Sequence, residues 1–347
     1  MNHENMKAWI LNQTTDLSNN VNPLILTDVP KPIPRRNEVL IRVSCCGVCH
    51  TELDEIEGRV SVPNYPIILG HQVIGRIEKL GDGSTLYKIG ERVGVAWIGW
   101  ACGQCVQCLS GNENLCKKFR STGCEIQGGY AEYMTIDERF AYTIPEVFTN
   151  EQAAPLLCAG AIGYRSLMLS ELKNEEPLGL MGFGASAHIV LKLSKYLFPD
   201  SPIIVIARSP EERAFAMSLG ATWTGNVGER PPSYARAVID TTPSWKAIVA
   251  SLEVLQPGGR LVINAIRKEP FDKEALLNLS YPEHLWMEKE IKSVANLTRL
   301  DVISFLKIAS EMPLLPEIQI YPFEEANKAL LDLKNKHVKG AKVISSK

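Results

Sequence analysis

Leu178-Gly179-Leu180-Met181-Gly182-Phe183-Gly184-Ala185-Ser186-Ala187 decides the architecture of the second half of the chain. A short apolar run meets a G-x-G-x-x-A turn, and Ile189, Val190, Leu193 and Leu197 then recur at helical spacing. A strand feeding a helix through two glycines aims the unpaired N–H groups of the helix start at a pyrophosphate. Gly182 allows the tight turn, Gly184 lets backbone approach the phosphates, and Ala187 lets helix and strand pack closely. Ser186 lies beside them in the first helical turn and is counted with the dinucleotide-facing group.

Outward from this turn the alternation continues. Ile203–Ile206 reads as a second buried strand and Glu211–Leu219 as a helix stopped by Gly220. Ala237–Ile239, Leu261–Ile263 and Lys292–Ala295 are further strand candidates, with helices near Trp245–Leu255 and Asp301–Ser310. Strands alternating with helices predict a parallel, doubly wound sheet, which argues against a plain strand-to-helix turn at Gly182. About twenty residues past the glycines, where an acid ordinarily grips the adenosine ribose, stand Ala207, Arg208 and Ser209. A cation and a hydroxyl there suit a 2′-phosphate, so NADP(H) is expected ahead of NAD(H). The competing reading has Arg208 stacking on adenine or facing solvent. Glu211 and Glu212 fall in a first helical turn, where acids favour the helix dipole.

Upstream of residue 160 the composition changes to Gly, Pro and short β-like runs such as Val39–Val43, Val73–Ile77 and Glu91–Val95. The 347 residues exceed what one core ordinarily organises, so two domains are expected. With 45% hydrophobic and 22% charged residues and a net charge of −2, nothing points to nucleic acid or an anionic membrane as partner. No apolar run reaches spanning length, and Met1–Ala8 is polar without a signal-peptide core. A cytoplasmic location is the expectation.

All nine cysteines fall in the first half, at or before Cys158. Cys102, Cys105, Cys108 and Cys116 form one tight group, the last separated from its neighbour by seven residues. Four thiolates at such spacing close a tetrahedral shell around Zn²⁺ and leave no open position, so this zinc is expected to be structural. Gly103 and Gly111 free the backbone to wrap the ion. An iron–sulfur cluster and a set of unmetallated thiols are the competing readings.

Gly47-Val48-Cys49-His50-Thr51-Glu52, Gly70-His71-Gln72, the four-cysteine lobe, Cys158 with Gly163-Tyr164, and the glycine turn occur in an order and spacing that resemble the zinc-dependent medium-chain alcohol dehydrogenases. The resemblance covers nearly the whole chain. It implies an α/β protein with a mostly β, GroES-like catalytic domain over residues 1–158, carrying the structural zinc lobe at about 100–118. A doubly wound Rossmann cofactor domain would follow over 159–297, and residues 298–347 would return to the catalytic domain. It implies one catalytic zinc held by Cys49, His71 and Cys158, besides the structural one. Taken singly, Cys49 and Cys158 read as core thiols and His71 as a satisfied core histidine; Cys45, Cys46 and Cys124 keep that core reading.

The resemblance further implies that zinc activates the alcohol oxygen, that Thr51 takes the proton, and that hydride passes to C4 of the nicotinamide. Glu52 would orient His71, with a solvated surface acid as the alternative. Three departures stand out: Gln72 where many members have Glu, Asp54 where a relay histidine is common, and Ile162 where a hydroxyl often meets the nicotinamide. Ser293–Thr298 resembles the segment that meets the nicotinamide amide, and Trp97 lies on the loop that builds the family's substrate pocket. The expected enzyme is an NAD(P)-dependent alcohol dehydrogenase or aldehyde reductase acting on a small primary or secondary alcohol, and a dimer or tetramer. The alternatives are a zinc-free quinone or enone reductase of the same superfamily and a non-catalytic dinucleotide-binding protein.

Overall fold

A computed structural model describes residues 4–312, 314–335 and 340–346. The first residues of the polar N-terminal stretch (1–3) and residues 336–339 of the last stretch lie outside the described residues. The chain divides into two compact units, Met1–Cys158 with Leu297–Lys347, and Ala159–Asn296.

In the second unit Leu178–Met181, Ile203–Ile206, Trp223–Gly225, Ala235–Asp240, Leu255–Ile263 and Glu290–Ser293 form one sheet. Numbered along the chain, the spatial order is 3-2-1-4-5-6 and every pairing is parallel. The α/β class, with a Rossmann-like sheet, is as expected. All residues of the first two strands are buried, as a sheet covered by helices requires. Met181, Ile204, Ile206, Val238, Ile248, Leu252 and Leu261 pack into one core. The strand order reverses between the first and fourth strands, where Met181 is paired with Asp240. In such sheets ligands bind at the carboxyl end of this crevice. The last strand ends two residues earlier than the predicted Lys292–Ala295. Its pairing stops at Ser293 opposite Ile263, and Asn296 takes a positive φ of 59° that ends the extended run.

The first unit is mostly β. Glu38–Val48 is its central strand, flanked by Val73–Leu80, Tyr133–Asp137 and the C-terminal strand Ala341–Ser345. Residues 39–43 were legible as a strand because Val39, Leu40, Ile41 and Val43 make a short apolar run rich in β-branched residues. The continuation through Cys46 to Val48 is set by the C-terminal strand, which pairs antiparallel with Cys45–Val48. Ile318–Pro322 then pairs parallel with Ala341–Ser345 and extends the sheet. A short ladder between Ile98–Trp100 and Arg120–Ser121 closes the base of the four-cysteine segment.

Candidate metal centre and dinucleotide turn

Cys49 is the N-cap of the helix His50–Ile56. Its amide donates to Glu52 Oε2 at 2.8 Å, and this capping box fixes where the helix starts. His71 follows Gly70, whose φ of +98° admits only glycine comfortably; a Cβ there would lie 2.6 Å from the Tyr130 ring and 2.8 Å from Cys46 Sγ. Cys158 ends the short 3₁₀ turn Ala154–Leu157. From these three positions the ligand atoms converge to within 4.8 Å of one another. His71 Nε2 is 3.3 Å from Cys158 Sγ, and the Cys49 and Cys158 sulfurs are 3.9 Å apart. Metal–sulfur bonds of about 2.3 Å at tetrahedral angles put two sulfurs about 3.8 Å apart, so the donor set fits one Zn²⁺ with a fourth position open.

The three side chains share charge and hydrogen bonds. The Cys49 thiol is held well below its ordinary value by hydrogen bonding from Cys158, and Cys158 is raised in turn by the shared interaction and by burial. Burial alone would lower the His71 pKa, but the Glu52 charge and the Cys49 hydrogen bond outweigh it and raise it. Glu52 Oε1 lies 2.6 Å from His71 Nδ1, with both side chains buried, so the surface-acid reading of Glu52 does not hold. A carboxylate on Nδ1 turns Nε2 toward the sulfurs. Trp97 stands edge-on to His71, with ring centroids 4.9 Å apart. Thr51 is buried with its hydroxyl 3.6 Å from Cys49 Sγ.

The three departures take definite places. The Gln72 carbonyl accepts from Gly47 N, and its side chain occupies the space a Cβ on Gly47 would need. Asp54 is buried and paired with Arg59 at 2.6 Å. Ile162 is half-buried on the helix Ala159–Leu169.

Cys102, Cys105, Cys108 and Cys116 form a second cluster, with Cys102–Cys108 at 3.9 Å and Cys105–Cys108 at 3.6 Å. The amides of Gln104 and Cys105 pull the Cys102 thiol down to about 6, while burial pushes Cys108 up to about 12. Buried Glu113, on the turn before Cys116, binds Arg299 through its guanidinium (2.7–3.0 Å) and its backbone amide (2.7 Å). The lobe is thereby tied to the start of the helix Arg299–Glu311, which Thr298 caps with Asp301. Nothing in local spacing announces a Glu–Arg pair 186 positions apart. Cys45, Cys46 and Cys124 are buried, and burial raises all three thiols, as core cysteines require.

At the glycine turn, Gly182 has φ +82° and Gly184 is the N-cap of the helix Ala185–Leu197. No side chain caps that helix start, and a Cβ on Gly184 would meet nothing within 4 Å. Open space over free N–H groups at the end of a long helix is what a pyrophosphate needs. Ser186 is half-buried in the first turn, and Ala187 is fully buried against the sheet. At the tip of the second strand Arg208 is exposed, and Arg213 donates to the carbonyls of Ala207 and Arg208, holding that turn. The Ser209 hydroxyl accepts from Glu212 N and donates to Glu211, so its bonding is committed to the helix Pro210–Ser218. Arg213 was missed because it lies inside the helical pattern.

Glu55 was also missed. It follows Glu52 by one helical turn, is fully buried, and neither carboxylate oxygen has a hydrogen-bond partner among the described residues. Burial, reinforced by the Glu52 charge, pushes it well above the usual carboxylate range.

A doubly wound nucleotide sheet joined to a mostly β unit with a Cys₂His centre defines an oxidoreductase of the medium-chain dehydrogenase class. The alcohol dehydrogenase GroES-like domain family matches residues 35–146. A Mycobacterium tuberculosis protein, "Probable alcohol dehydrogenase AdhA", is 36% identical over 344 residues, 98% of this chain and 97% of that protein. An alcohol dehydrogenase of Geobacillus stearothermophilus is 30% identical over 316 residues, 88% of this chain and 91% of its own length. A thermostable alcohol dehydrogenase from Pyrobaculum aerophilum shares the fold with a TM-score of 0.86 at 23% identity, over 99% of this chain and 100% of that one. The chain belongs to the zinc-type medium-chain alcohol dehydrogenase family.

Proposed function

We propose that this chain is a zinc-dependent alcohol dehydrogenase or aldehyde reductase that exchanges hydride between a small primary or secondary alcohol and a nicotinamide dinucleotide, with NADP(H) preferred. The convergence of Cys49, His71 and Cys158, with Glu52 on the far side of the imidazole, is the observation that carries this reading. Those three side chains would hold the catalytic zinc, which supplies Lewis-acid polarisation of the substrate oxygen. The four-cysteine lobe would hold a second, structural zinc. Glu52 keeps the imidazole proton on Nδ1 and leaves Nε2 for the metal. Thr51 is the group beside Cys49 able to accept the alcohol proton and pass it on.

The free amides at Gly184 and Ser186 would bind the pyrophosphate, and Arg208 would pair with a 2′-phosphate. We assign residues 1–158 and 298–347 to the catalytic part and 159–297 to the dinucleotide part. No helix among the described residues is long and apolar enough to cross a membrane.

The test is metal content per chain together with NADPH and NADH oxidation on a panel of simple aldehydes. Two zincs and aldehyde-dependent oxidation are expected. Cys49→Ala should lose one zinc and all turnover while still binding dinucleotide. Cys105→Ala should lose the other zinc and lower the melting temperature. One zinc and no turnover in the unmutated protein would overturn the proposal in favour of a non-catalytic dinucleotide-binding protein.

A further inference from the structure

Lys268 lies in the loop after the fifth strand of the parallel sheet, among exposed and half-buried residues, yet its own side chain is only 8% exposed. Its ammonium meets Asp240 Oδ2, the Thr242 carbonyl at 2.7 Å and the Ser244 carbonyl at 3.3 Å. An ammonium has three N–H donors and all three are engaged, so none remains for a phosphate. Asp240 is fully buried at the tip of the fourth strand, and its other oxygen accepts from Thr242 N at 3.0 Å and Thr242 Oγ1 at 2.8 Å.

The peptide gripped in this way, residues 241–244, forms one wall of the glycine turn. Thr241 N and its hydroxyl both donate to the Met181 carbonyl, immediately before Gly182. A Cβ on Gly182 would lie 2.7 Å from Thr242 Cγ2 and 3.1 Å from Thr241 Oγ1, so the two segments are in tight contact. The loop carrying Lys268 is fastened over residues 241–244 at further points. Asn264 N donates to the Asp240 carbonyl, Glu269 N to the Pro243 carbonyl, and Asp272 accepts from Ser244 Oγ, Trp245 N and Lys246 N.

We infer that Lys268 is a positioning residue for dinucleotide binding: through Asp240, Thr242 and Ser244 it holds the loop against which the Gly182 turn is set. The inference rests on the dinucleotide-binding reading of that turn. A buried cation bonded only to the protein's own oxygens acts on the ligand indirectly, by keeping the phosphate-facing amides in register, so its effect does not depend on the 2′-phosphate.

The experiment is equilibrium titration of the zinc-loaded, full-length protein with NADPH and with NADH, followed by nicotinamide fluorescence, alongside thermal melts and steady-state kinetics. Lys268→Met should raise Kd for both dinucleotides by a similar factor, on the order of tenfold or more. The kinetic loss should fall on the dinucleotide KM rather than on kcat. Because Lys268→Met leaves a buried carboxylate uncompensated, the double variant Asp240→Asn with Lys268→Met is its companion. The double variant should recover most of the lost melting temperature while Kd stays raised, since the Thr242 and Ser244 carbonyls still lack their donor. Wild-type Kd in Lys268→Met, or recovery of both Kd and stability in the double variant, would reduce the pair to a fold-stabilising element and overturn the inference. A Kd change confined to NADPH would make Lys268 a direct phosphate ligand and overturn it equally. If the unmutated protein binds neither dinucleotide, the dinucleotide reading itself fails and takes this inference with it.

Discussion

Glu52→Gln isolates the contribution of one buried carboxylate to the candidate catalytic metal centre. In the native arrangement one oxygen accepts from Cys49 N at 2.8 Å and the other faces His71 Nδ1 at 2.6 Å. Glutamine preserves shape and can keep one of these acceptors. With its oxygen kept on Cys49 N, its amide nitrogen faces Nδ1, where two donors oppose each other unless the imidazole moves its proton to Nε2. Nε2 is the atom 3.3 Å from Cys158 Sγ, the one turned toward the metal. Losing a carboxylate partner of a metal-binding histidine typically weakens metal affinity about 10- to 100-fold. That factor corresponds to about 1.4–2.7 kcal/mol. The assay is dialysis against a graded series of chelator-buffered zinc solutions, with zinc counted per chain. The four-cysteine lobe serves as an internal reference, since the partners of Glu52 among the described residues are Cys49 and His71. One zinc should leave Glu52→Gln at a free zinc level 10- to 100-fold higher than in the wild type, and the second should leave at the same level in both. If both equivalents leave at wild-type levels, Glu52 does not orient His71 and the reasoning is refuted.

Three further outcomes are expected. Thr51→Val, nearly isosteric, should lower kcat/KM for alcohol oxidation by about 100-fold or more while Thr51→Ser retains most of it; equal activity in both would remove the hydroxyl from proton transfer. Arg208→Asp should move preference from NADPH toward NADH, measured as the ratio of the two kcat/KM values, and an unchanged ratio would leave Arg208 a surface residue. Glu55 is buried, and both burial and the Glu52 charge raise its pKa, so the stability of its protonated state fades as pH rises through that raised value. Melting temperatures of Glu55→Gln and wild type should therefore be close near pH 5 and diverge toward pH 8, with the variant higher by about 2 °C or more; parallel curves would show that Glu55 is solvated or paired.

Legibility in the sequence followed the range of the interactions involved. The strand at Leu178–Met181 and the helix after it were readable because apolar periodicity and two glycines act within twenty residues. The four-cysteine cluster was readable for the same reason, since its donors span only residues 102–116. Cys49 and Cys158 are 109 positions apart, and only the order of motifs they share with the family linked them before the fold did. Glu52 was singled out only through the family resemblance, and its contact with His71 needed the turn at Gly70. Glu55 carried no local signal. An acid in a short helix reads as solvated, and only the packing around it shows otherwise. Lys268 and Asp240 are 28 positions apart, one in a loop and the other at a strand end, and a basic loop residue near a nucleotide crevice reads more naturally as a phosphate contact than as a strap.

By itself the sequence determined the α/β class, the parallel order of alternating strands and helices, the glycine turn and the four-cysteine lobe. Each of these rests on backbone preferences and spacings that act over one or two turns of chain. The tertiary structure alone decided the register in which Ala341–Ser345 pairs with Cys45–Val48, the distances at which Cys49, His71 and Cys158 converge, and the burial of Glu55 and of the Lys268 side chain. Those outcomes depend on which distant surfaces exclude water together, and that quantity is a property of the packed chain and not of any window along it.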